Sequence, residues 1–145
     1  NLHIMIRYEI EKMMFNGDLK VEDIPGTWNK MMNDWFGIEV PNDSLGCLQD
    51  IHWSMGAFGY FPTYTLGNLY AAQLLETMSS ELGDIDEIVK SGNWSSMLDW
   101  LSEKIHAKGS VMTPSELIES ATGMAPSPEP FLNYVEEKYS KLYNL

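Results

Sequence analysis

Thr113-Pro114-Ser115-Glu116-Leu117-Ile118-Glu119-Ser120-Ala121-Thr122-Gly123 spells out a helix from cap to stop. Thr113 can cap the first turn, and Pro114 suits the first helical position, where its missing N–H costs nothing. Glu116 can reach back to complete a capping box. Leu117, Ile118 and Ala121 supply one apolar face, and Gly123 offers the left-handed residue that ends such an element.

The same grammar repeats on both sides. C-terminal to it, Ala125 to Pro130 is a proline-rich joint in which Ser127-Pro128 repeats the cap-then-proline device. Phe131, Tyr134, Val135, Lys138 and Leu142 then build a last helix. N-terminal to it, Trp94, Met97, Leu98, Leu101 and Ile105 form a stripe with Asn93 as its expected N-cap and Gly109 as its end. Asp84 to Lys90 reads as a short helix. Tyr64 to Leu82 is longer, with Leu66, Leu69, Tyr70, Leu74 and Met78 on one face. Gly67 inside it costs about 1 kcal/mol relative to Ala and suggests close packing or a kink. Near the start, Leu2, Met5, Ile6, Ile10, Met13 and Met14 follow helical spacing up to Asn16-Gly17, while Ile4, Tyr8 and Phe15 form a second stripe. A helix apolar on two faces expects cover on both. Val21 to Ile24 reads as a turn and Pro25-Gly26 as a break. Trp28, Met31, Met32, Trp35 and Phe36 then form a helix ending at Gly37. No strand-like alternation occurs, so the fold class is all-α, as a single helical domain over residues 1–145.

The 145 residues carry a net charge of −12, which repels phosphate backbones and argues against a nucleic-acid role. No run approaches the roughly 20 apolar residues of a membrane span, and the first residues do not read as a signal peptide. The single cysteine, Cys47, excludes an internal disulfide and a Cys-rich metal site. A reducing cytoplasm is the expected setting. The chain enters its first helix at once, without an initiator Met, as expected of a helix lifted from a larger body; a natural start trimmed of a tag is the alternative.

Between the regular stretches, residues 38–64 lose periodicity, and an irregular run of that length in a helical domain points to function. It places Gln49, Asp50, His52 and Trp53 within five positions, followed by Tyr60 and Tyr64 among Gly56, Gly59 and Pro62. Imidazole and phenol groups are the donors an enzyme sets opposite a developing oxyanion. An aspartate two residues before a histidine can fix its tautomer. Each has a plainer reading as well: His52 as a bonded core histidine, the tyrosines as packing at i, i+4, Gln49 and Asp50 as caps for loop amides.

Gly46-x-x-Gln49-Asp50-x-His52-Trp53 resembles the GxxQDxHW signature of the carboxypeptidase Taq family. The stretch from Gly56 through Phe61-Pro62-Thr63-Tyr64 to Leu66-Gly67-Asn68, the opening Asn1-Leu2-His3-Ile4 and the closing aromatic helix are similar to it as well. The resemblance implies the helical C-terminal lobe of a cleft-shaped zinc metallocarboxypeptidase, which removes single residues from peptide C-termini with a metal-activated water. It implies zinc or a similar divalent metal in the parent enzyme, bound by a His-Glu-x-x-His helix and a downstream Glu. This chain contains no such helix, since His3, His52 and His106 stand far apart. The family's HPF, DxRxT and IRxxAD blocks are absent too, the last expected just before Asn1. No metal is therefore expected on this chain, and it is expected to be inactive alone.

Carried over by residue, the resemblance makes His52 the oxyanion donor. Tyr60 or Tyr64 would assist it or bind the substrate's terminal carboxylate, and Gln49 and Asp50 would bind substrate or orient His52. Trp53 and Phe61 would pack beneath. Arg7 is a carboxylate clamp or, more in keeping with its helix, a structural ion-pair member; His3 and His106 read as structural. The implied partners are peptides with a free C-terminus, the N-terminal remainder of the same protein and a second copy in a homodimer. The alternative function is a non-catalytic helical interaction module built on the peptidase scaffold.

Overall fold

The computed structural model describes all 145 residues. It contains seven α-helices, three short 3-10 turns and no strand, so the chain is all-α. The helices are α1 (Leu2–Asn16), α2 (Ile24–Phe36), α3 (Pro62–Leu82), α4 (Ile85–Ser91), α5 (Trp94–Lys104), α6 (Pro114–Thr122) and α7 (Glu129–Tyr143). The chain resolves into two compact units, Asn1–Leu66 and Gly67–Leu145.

In the first unit α1 packs on α2. Ile6, Ile10, Trp28 and Cys47 form the buried centre, walled by Met13, Met14, Met31, Met32, Val40 and Trp53. Fully burying each isoleucine contributes about 2 kcal/mol. Burial also pushes the Cys47 thiol up, leaving it a small apolar filler. The second stripe of α1 is divided: Ile4 is buried, whereas Tyr8 and Phe15 are exposed, as are Leu2 and Met5. Gly17 ends α1 in the left-handed region, at φ 79°. Pro25-Gly26 does not break the chain; α2 starts at Ile24 and takes Pro25 into its first turn. No intrahelical partner is asked of an N–H there, so a proline fits.

In the second unit Met78, Trp100, Ile118 and Ala121 are buried. The capping box of α6 forms as read: Glu116 N–H donates to Thr113 Oγ1, and Thr113 N–H donates to Glu116 Oε2 at 2.8 Å. Asn93 precedes α5 without capping it: its backbone, at φ −81° and ψ 59°, is not in the extended conformation usual for a cap, and its side-chain oxygen accepts from the Ser95 hydroxyl. The stripe through Ile105 is likewise cut short: α5 ends at Lys104, and His106 lies in a following 3-10 turn that stops at Gly109. At the head of α7 the Ser127 Oγ accepts from Glu129 N–H at 3.2 Å. Gln73 is wholly buried. Its amide nitrogen donates towards Thr122 Oγ1, the Met124 carbonyl and the Ala125 carbonyl, and its oxygen accepts from Ser127 N–H. One side chain thus satisfies the irregular joint between α6 and α7. Gly67 has no atom within 4 Å of where a Cβ would stand, and α3 runs unbroken through it, so neither a kink nor a neighbour within these 145 residues accounts for it.

No helix is long and apolar enough to cross a membrane.

Candidate functional site

The first unit carries the site on the segment that links α2 to α3. Asn42 starts it by capping a 3-10 turn, its side-chain oxygen accepting from Leu45 N–H at 3.0 Å and from the Ser44 hydroxyl at 2.7 Å. Gly46 follows in a crowded place. A Cβ there would lie 2.7 Å from Val40 Cγ1 and 3.1 Å from the Asn42 carbonyl oxygen. Only glycine lets the chain pass this close to its own backbone.

Past that point Asp50 and His52 meet. Asp50 Oδ1 accepts the His52 backbone N–H at 3.0 Å and also contacts the ring at Nδ1. Asp50 Oδ2 faces Arg7 Nε at 3.4 Å. The Arg7 guanidinium lies over Trp28 and Phe61, 4.8 and 5.3 Å from the ring centroids, so it is a structural cation on which the aspartate leans. Burial alone would push the Asp50 carboxyl up. The His52 N–H, the His52 ring and Arg7 outweigh it and hold the group below its usual value. An ionised carboxylate can only accept, so the facing Nδ1 carries the hydrogen. In the neutral ring this leaves the lone pair on Nε2, where the Tyr64 hydroxyl stands at 3.2 Å and donates to it.

Aromatic rings fix the imidazole on its other sides. Tyr60 stacks on it with centroids 5.5 Å apart, and Phe61 tilts against it at 4.8 Å. Tyr60 and Tyr64 meet edge to face at 5.3 Å, one helical turn apart where the chain enters α3. Since α3 begins at Pro62, Tyr64 stands on a helix rather than in the irregular stretch. Phe61 is buried and both phenols are exposed. Gln49 is exposed, and its amide nitrogen donates to the Ser44 carbonyl at 2.9 Å; the chain brings it no contact with the two tyrosines or His52. His3 sits beside Arg7, whose Nη1 lies 3.0 Å from its Nδ1. Burial and then the neighbouring guanidinium lower its pKa, in keeping with a structural role.

One residue was missed by the sequence reading. Glu11 is buried, and its two oxygens are used separately: Oε1 accepts from Trp53 Nε1 at 2.8 Å and Oε2 from Gly59 N–H at 3.1 Å. A signal for it existed, because Glu11 interrupts the apolar stripe Ile4, Tyr8, Phe15 at helical spacing.

No three His, Cys, Asp or Glu side chains come together as metal ligands. Asp50 is already engaged by a cation and an imidazole, so the residues of this chain do not fit a catalytic metal centre.

Residues 1–139 match the family model described as carboxypeptidase Taq (M32) metallopeptidase. The chain belongs to the carboxypeptidase Taq family. Thermostable carboxypeptidase 1 of Thermus thermophilus is 47% identical over 143 residues, covering 99% of this chain and 28% of that protein. Carboxypeptidase 1 of Bacillus subtilis is 44% identical over 144 residues, covering 99% and 29%. The crystal structure of the M32 carboxypeptidase from Deinococcus radiodurans superposes with a TM-score of 0.95 at 36% identity, covering 100% of this chain and 29% of that one. The chain therefore spans between a quarter and a third of the curated relatives it matches. Within this carboxypeptidase Taq chain, Gly46, Asp50, His52 and Trp53 of the signature each have a geometric reason for their identity: the crowded passage, the carboxylate that orients the ring, the ring itself and the indole that reaches Glu11.

Proposed function

We propose that this chain is part of a metallocarboxypeptidase that releases C-terminal residues from peptides, and that it contributes the donors facing the scissile group. The carrying observation is the line Asp50–His52–Tyr64: a carboxylate on Nδ1, a phenol on Nε2. The carboxylate holds the hydrogen on Nδ1 and keeps the ring's outer nitrogen directed at Tyr64. When His52 is protonated, its Nε2–H becomes a donor, and the Tyr64 hydroxyl is released to donate outward. A carbonyl oxygen that gains charge beside them is then met by one or two polarised N–H and O–H groups. Tyr60, stacked on the imidazole and exposed at its edge, offers its phenol to the substrate's terminal carboxylate. Gln49, whose amide nitrogen is held by Ser44, offers its oxygen to a peptide N–H. Zinc or a similar divalent ion belongs to this reading only as a group whose ligands lie outside these 145 residues.

The test is His52→Ala in the full-length protein. The kcat for a C-terminal peptide substrate should fall about a hundredfold or more, with KM little changed. An unaltered kcat removes the role given to His52. Stoichiometric zinc together with peptide hydrolysis by the 145-residue chain alone would overturn the division of labour.

The partners of this reading are the remainder of the protein and a second copy. An apolar groove lined by Ile4, Met5, Tyr8, Pro62, Thr65 and Leu66 supports a covered face on α1. Sedimentation of the chain should show self-association; a monomer at high concentration would restrict the partner to the same polypeptide. The same exposed face is what favours the second reading, a helical interaction module. A native polypeptide made of these residues alone that hydrolyses no peptide would move the weight there.

A further inference from the structure

We propose that Glu11 is a positioning residue for the site, holding His52 and Tyr60 in register through the residues next to them. The inference rests on the peptidase reading above. Each carboxylate oxygen grips a different end of the same loop: Oε1 takes the indole N–H of Trp53, adjacent to His52, and Oε2 takes the backbone N–H of Gly59, adjacent to Tyr60. Glu11 lies on α1, which is fixed by the packing of Ile6 and Ile10 against Trp28 of α2. The loop turns at Gly56, at positive φ, and its own backbone bonds end with Ala57 N–H on the His52 carbonyl at 2.8 Å, so the Gly59 end is held by Glu11. The stack of Tyr60 on His52, at 5.5 Å, closes across that loop. A buried carboxylate accepting from two neutral N–H groups, with no cation among its partners, is a costly way to stabilise a fold. It is an effective way to fix two donors at once.

Glu11→Gln tests this, because the isosteric amide has one acceptor and must turn its NH2 towards either Trp53 or Gly59. In the full-length protein kcat should fall roughly ten- to a hundredfold, with KM nearly unchanged. The rate at which diethyl pyrocarbonate acylates His52, read by mass spectrometry, should rise severalfold as the stack loosens. Trp53→Phe, which keeps a ring and removes the indole donor, should show a smaller loss. In that background Glu11→Gln should cost less than it does alone, since the amide then meets one donor fewer. A Glu11→Gln protein that melts lower but keeps kcat and the His52 acylation rate well below its melting temperature overturns the proposal and leaves Glu11 a stability residue. If Glu11→Gln does not fold, Trp53→Phe decides by the same two readouts. If the wild-type protein hydrolyses no peptide, the peptidase reading has failed, and the acylation rate alone still judges whether Glu11 holds the ring.

Discussion

Asp50 touches His52 twice through one oxygen, accepting the backbone N–H at 3.0 Å and the ring at Nδ1. The double contact closes a small loop over two residues, so the imidazole and the backbone that carries it are oriented together. Its second oxygen, turned to Arg7 at 3.4 Å, ties that loop to α1.

Asp50→Asn should therefore impair the site without emptying it. The amide keeps the volume but loses the charge that fixes the Nδ1–H tautomer and pairs with Arg7. A hydrogen bond to a charged group is worth about 1.5–3 kcal/mol, so kcat should fall roughly ten- to a hundredfold. The nitrogen-15 shifts of the His52 ring should show a mixed tautomer. A single Nδ1–H tautomer with wild-type kcat would refute the link.

The same pair predicts a pH dependence. Burial works to raise the Asp50 carboxyl, but the His52 N–H, the His52 ring and Arg7 together hold it below its unfolded value. A depressed folded pKa stabilises fully above the unfolded value, about 3.9, and that contribution is lost as pH falls through the folded value. The melting-temperature gap between wild type and Asp50→Asn should be widest above roughly pH 5 and close in stronger acid. A gap that stays constant down to acid unfolding would contradict the assignment.

Gln73→Leu should destabilise the second unit. The leucine fills most of the space but removes the donor to the Ala125 carbonyl, one of two donors to the Met124 carbonyl and the acceptor of the Ser127 N–H. A hydrogen bond contributes about 1 kcal/mol net, so urea unfolding should show a loss of about 2 kcal/mol. A change below 0.5 kcal/mol, roughly the size of an ordinary surface substitution, would mean that water replaces the amide.

Gly46→Ala should act on both stability and function. The new methyl would stand 2.7 Å from Val40 Cγ1 and 3.1 Å from the Asn42 carbonyl, one of them backbone that cannot swing aside. Overpacking of this kind costs about 1–3 kcal/mol. Because the strain falls four residues before Asp50, a lower melting temperature should come with weakened kcat.

Much of this was legible in the residues. The α6 capping box needs only Thr113 and Glu116 three apart, and the Asp50–His52 pairing only a spacing of two, so both are local and readable. Pro25-Gly26 misled because a proline's effect depends on whether its N–H would have been used, which the sequence leaves open. Asn93 misled because a cap depends on the backbone conformation at that position, which residue type alone does not set. Glu11 meets partners 42 and 48 residues away, and no local pattern encodes such a meeting. Its one trace was a charge set in an apolar stripe. The division between Tyr60 and Tyr64 was equally hidden, since both lie at i, i+4 and only the helix start at Pro62 aims one hydroxyl at Nε2.

Trp53 gives the loop an optical voice. Its indole is held edge-on between Trp28 and Phe61, with its N–H on a carboxylate and His52 next in the chain. If Glu11 positions the loop as proposed, whatever lets go of that nitrogen also loosens the neighbouring imidazole, and the released indole emits at longer wavelength as solvent reaches it. With the other four tryptophans replaced by phenylalanine, intrinsic fluorescence would follow the loosening of this segment in real time, without label or substrate.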